Sequence, residues 1–420
     1  MDEEAYKVPD EVSVPWRDLR MDESRRPPER DVVITDVRTM TISGNYPWGI
    51  VKVETDTDHY GIGEAFHGHE AVDVVNRISR HVIGENPLDI DRLMELLEQR
   101  YTGAGYIGKA AMTGIEIALW DLKGKLFDVP VYELLGGKYR SSVQTYCDTH
   151  AGESVGAALD GDADTVYTPE SYAKAAREVV DDGFGSLKFD LDVPMPGEDD
   201  EDVASRRLDN RAINHKVSLV EAVRDEIGYD VDLGVDLHWN FTVETAIRLG
   251  KKLERFDLAF IEDPVPPGKL GAQQRVTEAL DTPVLTGENV VDVGRFNELV
   301  SAGALDIAAP DVNKCGGLLD LHRIATVCDL HGVPLAPHNL SSPVGVVAGA
   351  HLGAAIPNFM SIEFRGRDVP WWNDLVIRTG ERGPILSNGS VAVPEGPGLG
   401  IDIDAQLADE YKTADSELIF

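Results

Sequence analysis

The stretch Leu233–Asn240, LGVDLHWN, decides how the chain is read. An apolar run ends in Asp236, and a histidine follows two places on. Side chains alternate across a strand, so the spacing predicts Asp236, His238 and Asn240 on one face and Val235 and Leu237 on the other. The same pattern, a short apolar run closed by polar residues, recurs along the chain. VQTYCD, SLKFD, DLGVD, LAFIEDP, PVLTGEN, DIAAPDV, PLAPHN and FMSIEF read as eight strands. They alternate with helix-length segments such as TAIRLGKKLERF and LLDLHRIATVCDLHG. Eight βα units with near-continuous apolar strands predict an α/β architecture, a (β/α)8 (TIM-type) barrel over residues 141–375.

The strand ends carry Lys188 and Asp190, Asp236 and His238, Glu262 and Asp263, Glu288, Asp311, His338 and Glu363. From Asp236 the successive spacings are 26, 26, 23, 27 and 25 residues, one step per βα unit. A lone aspartate after a strand is commonly a helix cap, and a lone lysine can snorkel. Strand ends that keep phase around a barrel converge on one mouth, where this architecture places its active sites.

Outward from the barrel, VVITDVRTMTI, GIVKVETD and YGIGEA read as strands, with a hairpin at TDTDHYG. HEAVDVVNRISRHVI, DIDRLMELLEQRY and a long helix through GKAAMTGIEIALWDLKGKLFD follow, the last stopping near Val129–Pro130. Residues 31–140 therefore form an N-terminal α+β domain, preceded by a polar arm at 1–30. The Gly- and Pro-rich segment 376–420 is expected to pack back on that domain. The acidic insertion at 192–209 is read as a solvated loop, the alternative being that it helps cover the barrel mouth.

The chain has 420 residues with 74 acidic against 39 basic, a formal charge of -35. That surface repels nucleic acid and anionic membrane, and suits a protein kept soluble in high salt. No secretory signal pattern and no apolar run of spanning length is present, so a cytoplasmic protein is expected. Cys147, Cys315 and Cys328 are too few and too scattered for a disulfide framework or a zinc site.

Asp236, Glu262 and Glu288, on three consecutive strands, offer only hard oxygen donors, which suits Mg2+. His338 and Asp311 stand on neighbouring strands, where a carboxylate can fix the imidazole's tautomer and raise its basicity. His238 lies toward the other side. A base and an acid flanking a substrate is the arrangement that elimination of water requires. Lys188 and the metal would hold the substrate carboxylate and the enediolate formed from it, and a protonated Glu363 would donate to the same group.

These residues resemble the enolase superfamily, mandelate racemase subgroup. The resemblance rests on GVDLH, FIEDP, TGEN, APDVNKCGG and APHN, and on MTGIEIALWDLKGKLFDVPVYELLGG, and covers about residues 31–400. It implies a capping domain on a modified barrel, Mg2+ ligation by Asp236, Glu262 and Glu288, and proton abstraction beside a carboxylate by the His338–Asp311 pair. It also implies a homo-oligomer. Racemases of the subgroup carry Lys-x-Lys at the second strand, whereas this chain reads KFD, with Asp190 in place of the second base. His238, two residues after the third-strand ligand, is similar to the acid-sugar dehydratases of the galactonate and gluconate type, whose products are 2-keto-3-deoxy acids. Three alternatives stay open: a racemase or epimerase, a mannonate-type dehydratase with a base such as Tyr106, and a catalytically silent metal-binding relative.

Candidate substrate contacts are Asp190, Asn240, Asn45, Tyr46, Trp48, His67, His69 and Tyr106, a set suited to a polyol. Arg365 or Arg367, if turned inward, would admit a sugar diacid; otherwise they are rim or salt-bridge residues. GAGYIG, Gly103–Gly108, follows a helical segment where a dinucleotide fingerprint needs a strand, and is read as a loop between helices.

Overall fold

The computed structural model describes residues 32–66, 68–101, 105–151, 166–195, 207–380 and 383–420. The arm at 1–30, His67 and most of the acidic insertion fall outside these. β1 (Ile34–Ser43), β2 (Pro47–Thr55) and β3 (Tyr60–Ala65) form an antiparallel meander, with Ile42 opposite Trp48 and Val53 opposite Gly61. Helices α1 (Gly68–Ile78), α2 (Ile90–Tyr101) and α3 (Gly105–Phe127) complete this domain. Gly61 and Gly63 explain the sequence of β3. A Cβ on Gly61 would lie 1.9 Å from the Ala118 carbonyl oxygen, and one on Gly63 2.2 Å from that of Gly114. Only glycine lets α3 rest its backbone on the strand. Gly105–Gly108, read as loop from the sequence, form the first turn of α3. A helix can begin on these glycines because its core side is packed: Gly108, Ala110, Ala111 and Met112 are buried.

The barrel strands β4 (Ser142–Thr149), β5 (Ser186–Asp190), β6 (Asp232–Asp236), β7 (Phe260–Glu262), β8 (Val284–Thr286) and β9 (Ile307–Ala308) are successive parallel neighbours. Single bridges Ala308–Leu335 and Leu335–Phe359 continue the wall, and β10 (Ile362–Phe364) pairs in parallel with β4 to close it. Helices Pro169–Asp181, Asn210–Ile227, Val243–Leu253, Leu270–Thr277, Val293–Ser301, Leu318–Asp329 and Pro343–Ala355 follow the first seven strand positions. The expected eighth helix does not follow β10 directly among the described residues: the 3-10 turn Trp372–Leu375 stands there, and the next helix is the short Ala405–Tyr411, beyond the C-terminal strands. Phe364 is covered instead by Phe184, stacked at 5.7 Å, and by Trp372, edge-on at 5.0 Å. These rings remove the apolar surface that an eighth helix would have to bury.

The C-terminal segment touches both parts. β11 (Val376–Arg378) pairs with β14 (Ile401–Ile403), and β13 (Ser390–Ala392), joined by a hairpin to β12 (Leu386–Ser387), runs antiparallel to β4. Tyr411 stacks on Trp371 at 4.0 Å, Lys412 bridges to Ile42, and Lys52 Nζ donates to the Ile419 carbonyl at 2.9 Å.

Two buried carboxylates bind the first domain to the barrel. Glu116 of α3 accepts from the backbone N–H groups of Leu318 and Leu319 at 2.8 and 3.0 Å. Glu64 of β3 accepts from Ser342 N, Ser342 Oγ and Gly345 N. Each thus occupies the N-terminus of a barrel helix, where backbone donors lack partners and the helix dipole favours negative charge. Burial nevertheless pushes Glu64 up to about 7 and Glu116 to about 8, against the pull of those hydrogen bonds. Glu116→Ala leaves buried N–H donors unsatisfied and is expected to cost about 1–3 kcal/mol, read by urea unfolding. An unchanged midpoint would show that water replaces the carboxylate.

Candidate active site

At the C-terminal end of the barrel, β5, β6, β7 and β10 deliver Lys188, Asp236, Glu262 and Glu363 to one buried cluster. Lys188 Nζ lies 2.9 Å from Asp236 Oδ2, 2.8 Å from Glu262 Oε2 and 2.7 Å from Glu363 Oε1. Burial alone would lower the lysine, but the surrounding carboxylates hold it well above its usual range. Glu262 is pushed well above the ordinary carboxylate range by burial, then by Asp236, Glu363 and Asp263, with Lys188 opposing. The other Glu363 oxygen accepts from the Asn339 N–H at 3.1 Å. Glu363 is therefore engaged by an ammonium and an N–H group, where the sequence reading had it as a donor.

Across the barrel, His338 Nδ1 lies 2.5 Å from Asp311 Oδ2, and its Nε2 is 3.0 Å from Glu288 Oε2 and 3.7 Å from Glu363 Oε2. Burial and Lys314 lower its basicity, but Glu288, Glu363 and Asp311 outweigh them and hold the imidazole well above its usual range. Glu288 is held well below its usual range, burial notwithstanding, by His338 and Lys314.

The opening stretch converges by a different route from the one its spacing predicts. β6 ends at Asp236, and His238 and Trp239 take φ of 39° and 51°. A left-handed turn by two non-glycine residues is uncommon and costs strain. It is held by His238 N to Asp236 Oδ1 at 2.8 Å, Trp239 N to the Asp263 carbonyl at 2.5 Å and Asn240 N to the Leu237 carbonyl at 2.9 Å. Strand alternation therefore stops at Asp236, because the chain is turning. His238 Nε2 still ends 3.7 Å from Asp236 Oδ2, while Nδ1 lies 3.0 Å from Asp192 Oδ1, and Asn240 Nδ2 donates to Asp192 Oδ2 at 2.6 Å. Asp190, Asp236 and His238 present ligand-type atoms within 4.8 Å of one another. Burial, relieved in part by His238, pushes Asp190 up to about 7.

Tyr46 is pushed up to about 12 by burial and then by Asp148, with Asp190 also near. Asn45 donates to the Arg365 carbonyl and, at 2.9 Å, to Asp368 Oδ1, so the β1–β2 loop reaches the barrel. Tyr106 is pushed up to about 12 by burial, with Lys314 opposing. Arg365 is buried and ion-paired, Nε to Asp148 at 3.4 Å and Nη1 to Asp368 at 3.2 Å. Arg367 points away, to Asp182 and Glu178. His69 faces Asp415 of the C-terminal segment, 3.7 Å away, and Trp48 packs edge-on against Trp371, so neither follows the polyol expectation.

Sequence reasoning missed Asp148, His150, Asp192 and Lys314. Asp148 and His150 close β4 in TYCDTH, with His150 Nε2 3.4 Å from Asp148 Oδ2. Lys314 lies 3.2 Å from Asp311 Oδ2 and over the Phe66 ring at 4.3 Å. Its signal was available: it sits three residues after Asp311 in the motif APDVNKCGG.

The donor set can be tested for a divalent cation on one observation. Glu262 Oε1 is buried with no hydrogen-bond partner, inside a cluster of carboxylates. A buried carboxyl oxygen left without a partner is costly unless a cation satisfies it, so the residues fit a hard metal ion.

Comparison with known proteins agrees with this architecture. Residues 29–136 match the family described as mandelate racemase / muconate lactonizing enzyme, N-terminal domain, and residues 171–407 match enolase C-terminal domain-like. The chain is 42% identical over 386 residues to the D-xylonate dehydratase of Haloferax volcanii, covering 91% of this chain and 89% of that one. It is 28% identical to a D-gluconate/D-galactonate dehydratase of Picrophilus torridus, covering 87% and 89%. A mandelate racemase/muconate lactonizing enzyme-like protein from Rubrobacter xylanophilus superposes with TM-score 0.86 at 36% identity, over 92% of this chain and 99% of that one.

Proposed function

The chain belongs to the mandelate racemase / muconate lactonizing enzyme family of the enolase superfamily, and from that premise we propose a Mg2+-dependent sugar-acid dehydratase acting on an aldonate of the D-xylonate class. One observation carries the reading. His338 and His238 stand at the seventh and third of eight strand positions, on opposite sides of the barrel, with the carboxylate cluster between them. Asp236, Glu262 and Glu288 would hold the cation, which supplies positive charge against the substrate carboxylate and the enediolate derived from it.

His338 Nε2 takes the C2 proton while Asp311, on Nδ1, holds the tautomer and steadies the imidazolium. Lys188 offers charge to the carboxylate end. The electron pair left on the substrate forms the C2=C3 bond as the C3–O bond breaks. His238 gives a proton to the departing oxygen, which leaves as water, and the enol becomes a 2-keto-3-deoxy acid. A hydro-lyase results. The KFD sequence at β5 supports this over racemisation: Asp190 beside His238 is a carboxylate where a second lysine base would be needed.

The distal end of the substrate would meet Tyr46, Asp148, Asp190 and the already paired Arg365. Two carboxylates there disfavour a second substrate carboxylate and suit hydroxyl groups, so a monoacid is preferred over a diacid. His67 and Tyr106 remain candidates for the rim. The net charge of -35 supports a cytoplasmic, salt-adapted protein. Among the described residues no helix is long and apolar enough to cross a membrane.

The test is a panel of gluconate, xylonate, galactonate, arabinonate, mannonate and glucarate with Mg2+, following 2-keto-3-deoxy product at rising KCl. Turnover of a five-carbon monoacid, with activity and melting temperature both rising into molar KCl, is expected. Preference for glucarate, or an optimum in dilute buffer, would overturn the substrate class or the salt adaptation respectively.

A further inference from the structure

Asp192 begins the acidic insertion, yet it is held as firmly as a barrel residue. On one side Leu191 N donates to the Asp236 carbonyl at 2.9 Å, and on the other Lys216 Nζ donates to the Val193 carbonyl at 2.7 Å. Both of its side-chain oxygens are committed, Oδ1 to His238 Nδ1 at 3.0 Å and Oδ2 to Asn240 Nδ2 at 2.6 Å. A carboxylate gripped at both oxygens has a fixed plane, and the imidazole bonded to it has a fixed orientation. With Nδ1 facing Asp192, His238 turns Nε2 toward the cluster, 3.7 Å from Asp236. The arrangement repeats across the barrel, where Asp311 holds Nδ1 of His338 and turns its Nε2 inward.

We infer that Asp192 is the positioning residue for the leaving-group acid: through Nδ1 it aims His238 Nε2–H at the departing C3 oxygen, and Asn240 holds Asp192 in place. The inference rests on the dehydratase reading and deepens it. The site then contains two histidine–aspartate pairs facing each other, one removing the C2 proton and one delivering a proton to oxygen. After transfer the neutral His238 keeps its proton on Nδ1, bonded to Asp192. Asp192 touches no reacting atom and acts only through His238.

The experiment uses the intact Mg2+-loaded protein and Asp192→Asn, an isosteric change, with Asp192→Glu as the charge-conserving control. Three rates are measured: 2-keto-3-deoxy product from the best aldonate, exchange of its C2 proton in D2O, and fluoride release from the 3-deoxy-3-fluoro analogue. Fluoride departs with its bonding electrons and depends far less on an acid than hydroxide does. Asp192→Asn is expected to lose about 10²–10³-fold in water elimination, the span of one general acid. C2 exchange and fluoride release should stay within about threefold, by the same reasoning that only the acid is impaired. Asp192→Glu should recover part of the water elimination. A parallel fall in all three rates would mean Asp192 only supports the fold of the mouth, and unchanged water elimination would mean it does not orient His238. Either overturns the positioning role alone. If the wild-type protein releases neither water nor fluoride from any aldonate, the dehydratase reading falls and the inference with it.

Discussion

His338→Asn is expected to abolish C2-proton exchange and dehydration together, while the protein still folds and binds Mg2+. On its side of the mouth the His338 imidazole turns Nε2 inward, while its Nδ1 is fixed by Asp311, 2.5 Å away on the preceding strand position. Asparagine keeps a polar group near Asp311 and Lys314 but cannot accept a proton. A loss of about 10²–10⁴-fold is the span for a general base, and proton exchange by NMR in D2O reads it directly. His238→Asn should separate the two steps, keeping exchange and losing dehydration. Exchange that survives in His338→Asn would move the base elsewhere, with Tyr106 beside Lys314 the next residue to vary.

Removal of divalent cation by a chelator is expected to reduce turnover to background, with Mg2+ restoring it. Glu262 is pushed well above the ordinary carboxylate range by burial and by the neighbouring Asp236 and Glu363, and Lys188 answers all three carboxylates. A dication would relieve that repulsion and satisfy Glu262 Oε1. Because it binds only the folded site, stability should rise as well, by about 2.7 kcal/mol at one hundred times the dissociation constant. Asp236→Asn and Glu262→Gln should weaken the Mg2+-dependent shift in melting temperature, a readout independent of activity. Full turnover in excess chelator would exclude the assignment of Asp236, Glu262 and Glu288 as the cation's ligands.

The barrel was legible because its signal is redundant. Seven strand ends in phase do not depend on any one of them being right, so the short β9 and the single bridge at Leu335 did not disturb the reading. The seven-helix outcome was less visible: nothing in FMSIEF shows that Phe184 and Trp372 will cover Phe364 in place of a helix. The turn at His238 was invisible to a rule of alternation, since positive φ at a histidine and a tryptophan is a tertiary imposition. Asp192 and Asp148 were passed over for another reason. The first lies in an acidic insertion that resembles a solvated loop, and only the packing distinguishes it. The second precedes Lys188 by 40 residues, outside the 23–27 spacing that drew attention to the others.

The contacts of Glu64 and Glu116 with the barrel helices also bear on how such a protein can be rebuilt. The loop bearing Tyr46 belongs to the same domain as those two carboxylates, so the surface that would choose the substrate and the fasteners that hold it travel on one piece of chain. A capping domain exchanged between relatives would seat only where the recipient barrel presents bare helix N–H groups at the positions of Leu318, Leu319, Ser342 and Gly345. The module that can be transplanted is therefore defined by its plugs and sockets, and a graft cut at the linker near residue 140 without matching them would carry the new specificity but not hold it in register with the chemistry.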